Sequence, residues 1–350
     1  MIQYKFHIYK KIILFFLFSA STYSQNIKET DYTKYHEKIN KAEIFFFKEK
    51  NIDSTVFYYE KVFNNYDFIF LKDLITCAQI AKHSNKPFIK YIEKGFEFGL
   101  KIEHLKNYPI FGDISKLEKE NKLKTKFDKG RKLYLKKIDF NYLDLIYDIA
   151  VEDQCNKYLT NENEYIQKKK KNMFNLKKRI NSKGFPGERL LGIADSTICD
   201  EVKLKNKDLK YRIIEFPKAK TFDEINESCF AQIIIFPFFM HFDYCFFKEF
   251  DSKQLINEIK KGNIHPRDIA FFNDVAFTTL SIGNRSFCKE NKTDGFYFST
   301  FSYEKDLFNI KTANKLRKKL FMVPYEIDII KQEYEKNYGF NIFYGYSNYR

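Results

Sequence analysis

Apolar residues recur at helical spacing through most of the 350-residue chain, broken by short polar joints that carry glycine, proline or a capping residue. Four such segments come first. They are residues 31–50; the phrase NIDSTVFYYEKVFNNY, with Asp53 as its expected N-cap; FIFLKDLITCAQIAKHSNK; and KPFIKYIEKGFEFGL, entered through Pro87 and ended at Gly99. In the connector HLKNYPIFGDISKLEK a brief helical turn is expected after Phe111. Between residues 141 and 181, Leu159, Ile166, Met173 and Ile180 recur every seven positions with Leu176 on the same side. That is a narrow apolar seam with lysines facing out, and Gly184 and Pro186 end it. KYRIIEF predicts a short strand. Thr221 and Glu224 form a capping box, opening a helix that breaks or kinks at Pro237.

The strongest pattern lies in residues 251–280. Asp251 caps one helix, and Gly262 stops it behind Lys260 and Lys261, whose charge suits the helix C-terminus. His265 stands at the joint, Pro266 takes the first helical position, and Asp268 lies in the first turn. Ile269, Phe272, Ala276 and Leu280 make one face of the next helix, widened by Phe271 and Val275. Asp274 sits inside that apolar run. A carboxylate there must find a partner or shift its pKa. Its bland role is a hydrogen-bonded strut between helices; Arg267 is two turns away and too distant to pair with it locally. Asp153, Gln154, Arg285 and Arg317 are the candidate neighbours. A hairpin is predicted around Asp294-Gly295, then two helices, IKTANKLRKKLF and, after Pro324, EIDIIKQEYEKNYGF. The aromatic tail NIFYGYSNYR is expected to pack back as an edge segment.

The fold class follows: mainly α, with N-terminal helix-turn-helix (tetratricopeptide-like) repeats and then a mostly helical C-terminal domain with at most one small hairpin. The first four helices pair as two copies of one unit. Ala42 and Ala78 are 36 residues apart, Tyr59 and Tyr91 are 32 apart, and Phe63 and Phe96 are 33 apart. These offsets bracket the period of about 34 that tetratricopeptide units show. The repeat module spans residues 25–120 and the C-terminal domain 121–350. Two copies cannot bury their open face, so either the rest of the chain or a partner must cap them. Tyr58, Tyr59 and Tyr91 are the candidate binding residues for a protein or peptide.

The N-terminus changes the picture of location. Lys5, Lys10 and Lys11 precede a short apolar run from Ile12 to Phe18 and then small residues, the pattern of a signal peptide over residues 1–24. Cleavage is expected after Ser24, with Ser21 as the competing position. The run is far shorter than the ~20 residues a membrane-spanning helix needs. The mature chain is therefore expected to be exported, periplasmic or secreted, with no integral membrane segment. Cleavage takes the formal charge from +15 to +12. The lysines are scattered and no groove-reading motif occurs, so no nucleic-acid partner is expected. The chain has 40 Phe, 25 Tyr and no Trp. That excess accompanies abundant Lys, Ile and Asn, as an AT-rich coding sequence would impose, and carries no functional weight. Of six cysteines, Cys77 and Cys245 sit in apolar helical context as buried thiols, while Cys199 and Cys288, in loop-like stretches, are the best-placed disulfide pair.

The phrases AVEDQC, SKGFPGERLLG, FPFFMHFDYCFF, HPRDIAFFNDVAF and NKLRKKLFM occur in this order. Their order resembles a family of uncharacterised exported bacterial proteins with an N-terminal tetratricopeptide-like helical repeat and a C-terminal helical domain of unknown function. The resemblance covers about two-thirds of the chain and marks Asp153, Gln154, His241 and Asp274 as its polar positions. It supplies no activity. The chain departs from it at Cys155-Asn156, where a basic residue is common, and in lacking a Gly-Tyr-Gly-type phrase after Asp274. His241 with Asp243, and His265 with Asp268, could join Asp153 and Asp274 in a His/carboxylate site for a metal or for acid–base chemistry. Neither spacing is diagnostic. No nucleophile elbow, phosphate-binding glycine loop, HExxH or EF-hand loop occurs, and no metal or cofactor is expected. The expected function is therefore binding or scaffolding of a protein or peptide; the alternative is an exported hydrolase-like enzyme, metal-assisted or not, whose candidate catalytic residues are His241, Asp274 and Asp153. Convergence of those three on an open pocket would favour the enzyme.

Overall fold

A computed structural model describes residues 28–112, 114, 122–146, 148–149, 161–193, 197–202, 250–281, 295–298 and 308–342. These residues are mainly helical, and no strand occurs among them. The expected signal peptide, the KYRIIEF strand, the capping box at Thr221, the kink at Pro237 and most of the hairpin near Asp294 lie outside the described residues.

Four helices open the fold: α1 (Tyr32–Phe47), α2 (Ile52–Asn65), α3 (Leu71–His83) and α4 (Ile89–Gly95). The Asp31 carboxylate starts α1 by accepting the Thr33 N–H at 3.0 Å. The cap of α2 is Asn51, which accepts the Ser54 N–H at 3.0 Å. Asp53, expected as that cap, lies in the first turn, where its charge faces the positive end of the helix dipole. α4 runs into a 3-10 turn, Phe96–Phe98, closed by Gly99 at φ +100°. Two 3-10 segments, Glu103–Asn107 and Pro109–Phe111, come before the expected turn, most of which lies outside the described residues.

α1 packs along α2, and α3 along α4. Ala42, Ala78 and Ala81 are buried, as small residues at close helix approaches should be. Tyr59, Phe63, Tyr91 and Phe96 are buried as well, and the Phe63 and Tyr91 rings lie 5.9 Å apart. α3 is buried almost all round, from Leu71 and then Asp73 through Ala81, which makes it the central helix. Its N-cap, Phe70, has no capping side chain; the Glu188 carboxylate fills that role by accepting the Leu71 N–H at 2.6 Å.

The chain continues through α5 (Lys122–Leu135), α6 (Glu162–Lys183), α7 (Glu188–Leu191) and α8 (Ile198–Glu201). Of the expected seam, Met173, Leu176 and Ile180 on α6 are buried and Ile166 is half-buried, Leu159 lies outside the described residues, and Gly184 follows at φ +104°. Cys199 falls inside α8 rather than in a loop, and Cys288 lies outside the described residues, as do Cys155, Cys229 and Cys245. Cys77 is a buried thiol.

The last part carries α9 (Ser252–Lys260), α10 (Pro266–Ser281), α11 (Ile310–Lys319) and α12 (Tyr325–Tyr338). Asp251 caps α9 through the Gln254 N–H at 2.8 Å, Gly262 follows at φ +72°, and Pro266 begins α10. α12 lies against α1. Tyr334 meets Phe46 with ring centroids 5.3 Å apart, and Lys331 donates to Glu43 at 2.6 Å. Asn341, just past α12, exchanges two hydrogen bonds with the Gln79 side chain of α3, at 2.7 and 3.2 Å. The chain's own C-terminal helix therefore covers α1 and reaches α3.

Gly130 lets α5 approach the Phe96–Phe98 turn closely. A Cβ there would stand 2.5 Å from Phe96 Cβ and 2.9 Å from the Phe96 carbonyl carbon. In a free helix Gly→Ala gains about 1 kcal/mol. Here the clash outweighs that gain, so Gly130→Ala is expected to cost about 1–3 kcal/mol net, read as a lower urea midpoint at unchanged m-value.

Candidate functional site

Asp274 is fully buried, with 0% of its surface exposed. Its Oδ1 accepts the Tyr297 N–H at 2.7 Å and its Oδ2 the Phe298 N–H at 2.6 Å. Asn273 Nδ2 donates to Oδ1 at 3.2 Å and to the Gly295 carbonyl at 2.9 Å. The carboxylate thus holds the 295–298 segment against α10. Burial outweighs these bonds and pushes its pKa up to about 8. Arg317, a predicted neighbour, is near but engaged elsewhere. Asp153, Gln154, His241 and Asp243 lie outside the described residues, so of the three candidate catalytic residues only Asp274 is placed.

Arg317 belongs to a buried charge cluster that no sequence motif announced. It is 0% exposed, donates to the Val323 carbonyl at 2.7 Å and to the Tyr297 carbonyl at 3.1 Å, and pairs with Asp328 Oδ2. Arg267 takes the other oxygen, Oδ1, and Lys331 Nζ lies 3.7 Å from the same atom. Burial alone would raise the Asp328 pKa; Arg267, Arg317 and Lys331 overcome it and hold the carboxyl well below the usual range. Through Lys331 the cluster continues to Glu43 on α1.

Beside it α1, α3, α12, the 265–267 joint and the 321–323 turn surround a cavity of about 40 Å³, whose walls mix His36, Lys72, Asp73, His265, Arg267 and Lys331 with apolar side chains. One water needs about 10–15 Å³. The space therefore holds a few waters or one small ion, and nothing of drug size. Lys72 Nζ donates to His265 Nδ1 at 2.7 Å, and the Arg267 backbone N–H donates to the same nitrogen at 3.1 Å. Two donors on Nδ1 place the imidazole proton on Nε2. Burial and the charge of Lys72 hold the His265 pKa far below normal, and push that of His36 down to about 3. Burial lowers Lys72 to about 8 and raises Asp73, which accepts the Tyr35 hydroxyl proton at 2.7 Å, to about 6. Among the described residues no group of three metal-ligating side chains converges.

The three candidate binding tyrosines separate. Tyr59 and Tyr91 are buried, with the Tyr91 hydroxyl on Glu60 at 3.0 Å. Tyr58 is half-buried and stacks on Phe45 with centroids 5.5 Å apart. Phe57 beside it is 58% exposed. Lys41 lies over Tyr58 and Lys61 over Phe57, each 5.7 Å from the ring centre. Sequence alone did not single out Phe57, His36 or Lys72: each reads as one more position in an amphipathic helix.

Against known families, curated proteins and solved structures, the chain finds no match.

Two outcomes follow from the buried acids. Asp274→Asn turns an NH2 toward one of the two backbone N–H groups, and is expected to cost about 1–3 kcal/mol in denaturant unfolding. Asp328→Asn leaves Arg267 and Arg317 buried without their anion, for an expected loss of about 3–5 kcal/mol. The lowered folded-state pKa of Asp328 means its contribution is complete above the unfolded carboxyl value of about 3.9 and fades as pH falls through the folded value. Unfolding from pH 6 to pH 2 should therefore show an acid-induced stability loss that is smaller in Asp328→Asn.

Proposed function

We propose that the protein is an exported binding protein that engages a protein or peptide partner with the outer face of a tetratricopeptide-like module formed by α1–α4. The observation that carries this is the surface group of Phe57, Tyr58 and Phe45 under Lys41 and Lys61. The exposed Phe57 ring, set edge-on to the half-buried Tyr58–Phe45 stack, offers rigid contact area at low entropic cost, the make-up of an interface anchor. The opposite side of α1 is closed to a partner by Tyr334, Phe340 and the Lys331–Glu43 pair. The two lysines suit a partner with acidic residues around an apolar anchor. The alternative hydrolase-like reading gains nothing from Asp274, whose oxygens are held by backbone N–H groups. No helix among the described residues is long and apolar enough to cross a membrane. Signal cleavage after Ser24 and release to the periplasm or medium are part of the proposal.

The test is cross-linked pull-down by the mature chain against the double variant Phe57→Ser/Tyr58→Ser. Because Tyr58 packs half-buried against the core, the account expects the fold to be kept with about 1 kcal/mol lost, and at least a tenfold drop in recovery of any partner. Equal recovery by both chains would remove this face from the function.

A further inference from the structure

α6 has one side that the fold uses and one that it does not. From residue 165 to residue 183 the helix carries eight basic side chains and no acid. Its inner side is packed: Asn172, Met173, Leu176 and Ile180 are buried. Several of the basic groups are engaged by the protein itself. Lys168 pairs with Glu164 at 3.3 Å and Lys183 with Asp139 at 3.1 Å. Lys169 lies over the Tyr165 ring and Arg179 over the Tyr142 ring.

The outer side differs. Phe174 is 70% exposed. With each residue turning the helix by about 100°, Lys170, Lys171 and Lys178 fall within about 60° of Phe174 around the axis, one turn before it and one turn after. All three lysines are exposed, and no acid among the described residues pairs with any of them. The outer stripe is therefore a row of ammonium groups with one phenyl ring at its centre. A lysine face that served only to keep a helix in water would not need that ring. The 22 residues of α6 make a ridge about 33 Å long. A ridge offers no groove to a peptide; it fits a broad, flat surface.

We propose that the outer stripe of α6 docks the protein on an anionic phospholipid surface, with Lys170, Lys171 and Lys178 against the headgroup phosphates and Phe174 in the boundary between headgroups and acyl chains. A bilayer surface supplies both chemistries in the order the stripe needs them: phosphate oxygens outside and, about 5–10 Å deeper, apolar chains. The lysine stems are long enough to keep their ammonium groups at phosphate level while the ring goes deeper. A nucleic-acid backbone would meet the lysines but leave Phe174 in water unless a base unstacked to cover it. Each lysine at an anionic membrane contributes a factor of roughly fivefold to partitioning, and its reach is a Debye length, about 8 Å at physiological salt. The helix lies on the surface and does not span it. The stripe is independent of the Phe57–Tyr58 face, so either proposal can fail alone.

The experiment sediments the mature chain with vesicles of phosphatidylcholine alone, and with vesicles of phosphatidylcholine and phosphatidylglycerol in equal parts. The expected result is partitioning onto the mixed vesicles only, weakening as sodium chloride is raised. The triple variant Lys170→Gln/Lys171→Gln/Lys178→Gln should lower that partitioning about a hundredfold. Lys124→Gln/Lys129→Gln/Lys132→Gln, which removes the same charge from exposed positions on α5, should lower it by about threefold at most, because distant charges are screened. Phe174→Trp gives the chain its one indole, whose emission should move to the blue on the mixed vesicles. Every substituted side chain is exposed, so circular dichroism should show the same helix content in all variants. No partitioning onto mixed vesicles, equal partitioning by the α6 variant, an equal loss in the α5 variant, or an unshifted indole would overturn the proposal. So would binding of double-stranded DNA that the α6 variant loses, if the mixed vesicles are left unbound.

Discussion

One buried carboxylate fixes the geometry of the C-terminal helices. Asp328 accepts from two guanidinium groups and lies near an ammonium, all removed from water. Charges in that setting cannot be parted without leaving one uncompensated, at about 3–5 kcal/mol. Its partners come from different places: Arg267 from α10, Arg317 from α11, Lys331 from α12 itself. Lys331 also reaches Glu43 on α1. The result is a chain of charge that runs from the final helix to the first. Apolar packing alone would permit these helices to slide; opposed charges at fixed hydrogen-bond distance do not.

That constraint shapes what the surface can do. α12 is held on α1, so that side of the helical module is occupied by the protein itself. On the side carrying α2 Phe57 is exposed, as Phe174 on α6 and Tyr338 on α12 are among the described residues. The same charge cluster borders the cavity that His36 and His265 line. Its walls mix imidazole, ammonium and carboxylate groups with the apolar side chains of Ile39, Met322 and Val323. Asp274 plays a different part from the one its position suggested. Its oxygens hold the 297–298 backbone against α10, and that same segment supplies the carbonyl that Arg317 grips.

Local signals in the sequence located the helices well. Asp251 as cap, Gly262 as stop, Pro266 as first residue and Gly184 after the long helix all stand where their chemistry requires, because each acts on its own few neighbours. The cap of α2 shows the limit of that method: Asn51 and Asp53 are both good caps, and nothing local chose between them. The seam of Met173, Leu176 and Ile180 was legible from period alone. The charge cluster was not. Lys331 sits in the phrase EIDIIKQEYEK, where it reads as one more solvated lysine, and only contact with Glu43, far away in the chain, reveals its burial. Tyr59 and Tyr91 read equally well as contact residues and as core, and their burial depends on how helices pair rather than on their spacing. His36 and His265 are remote in sequence; their meeting is a tertiary fact.

The account stands on the coupling of the first helix to the last through Glu43 and Lys331. A double-mutant cycle with Glu43→Gln, Lys331→Met and the pair, read by urea unfolding, measures it directly. The account predicts a coupling energy of about 1–3 kcal/mol and one cooperative transition in all four proteins. Additivity within about 0.3–0.5 kcal/mol, or two separate transitions in the wild type, would contradict it.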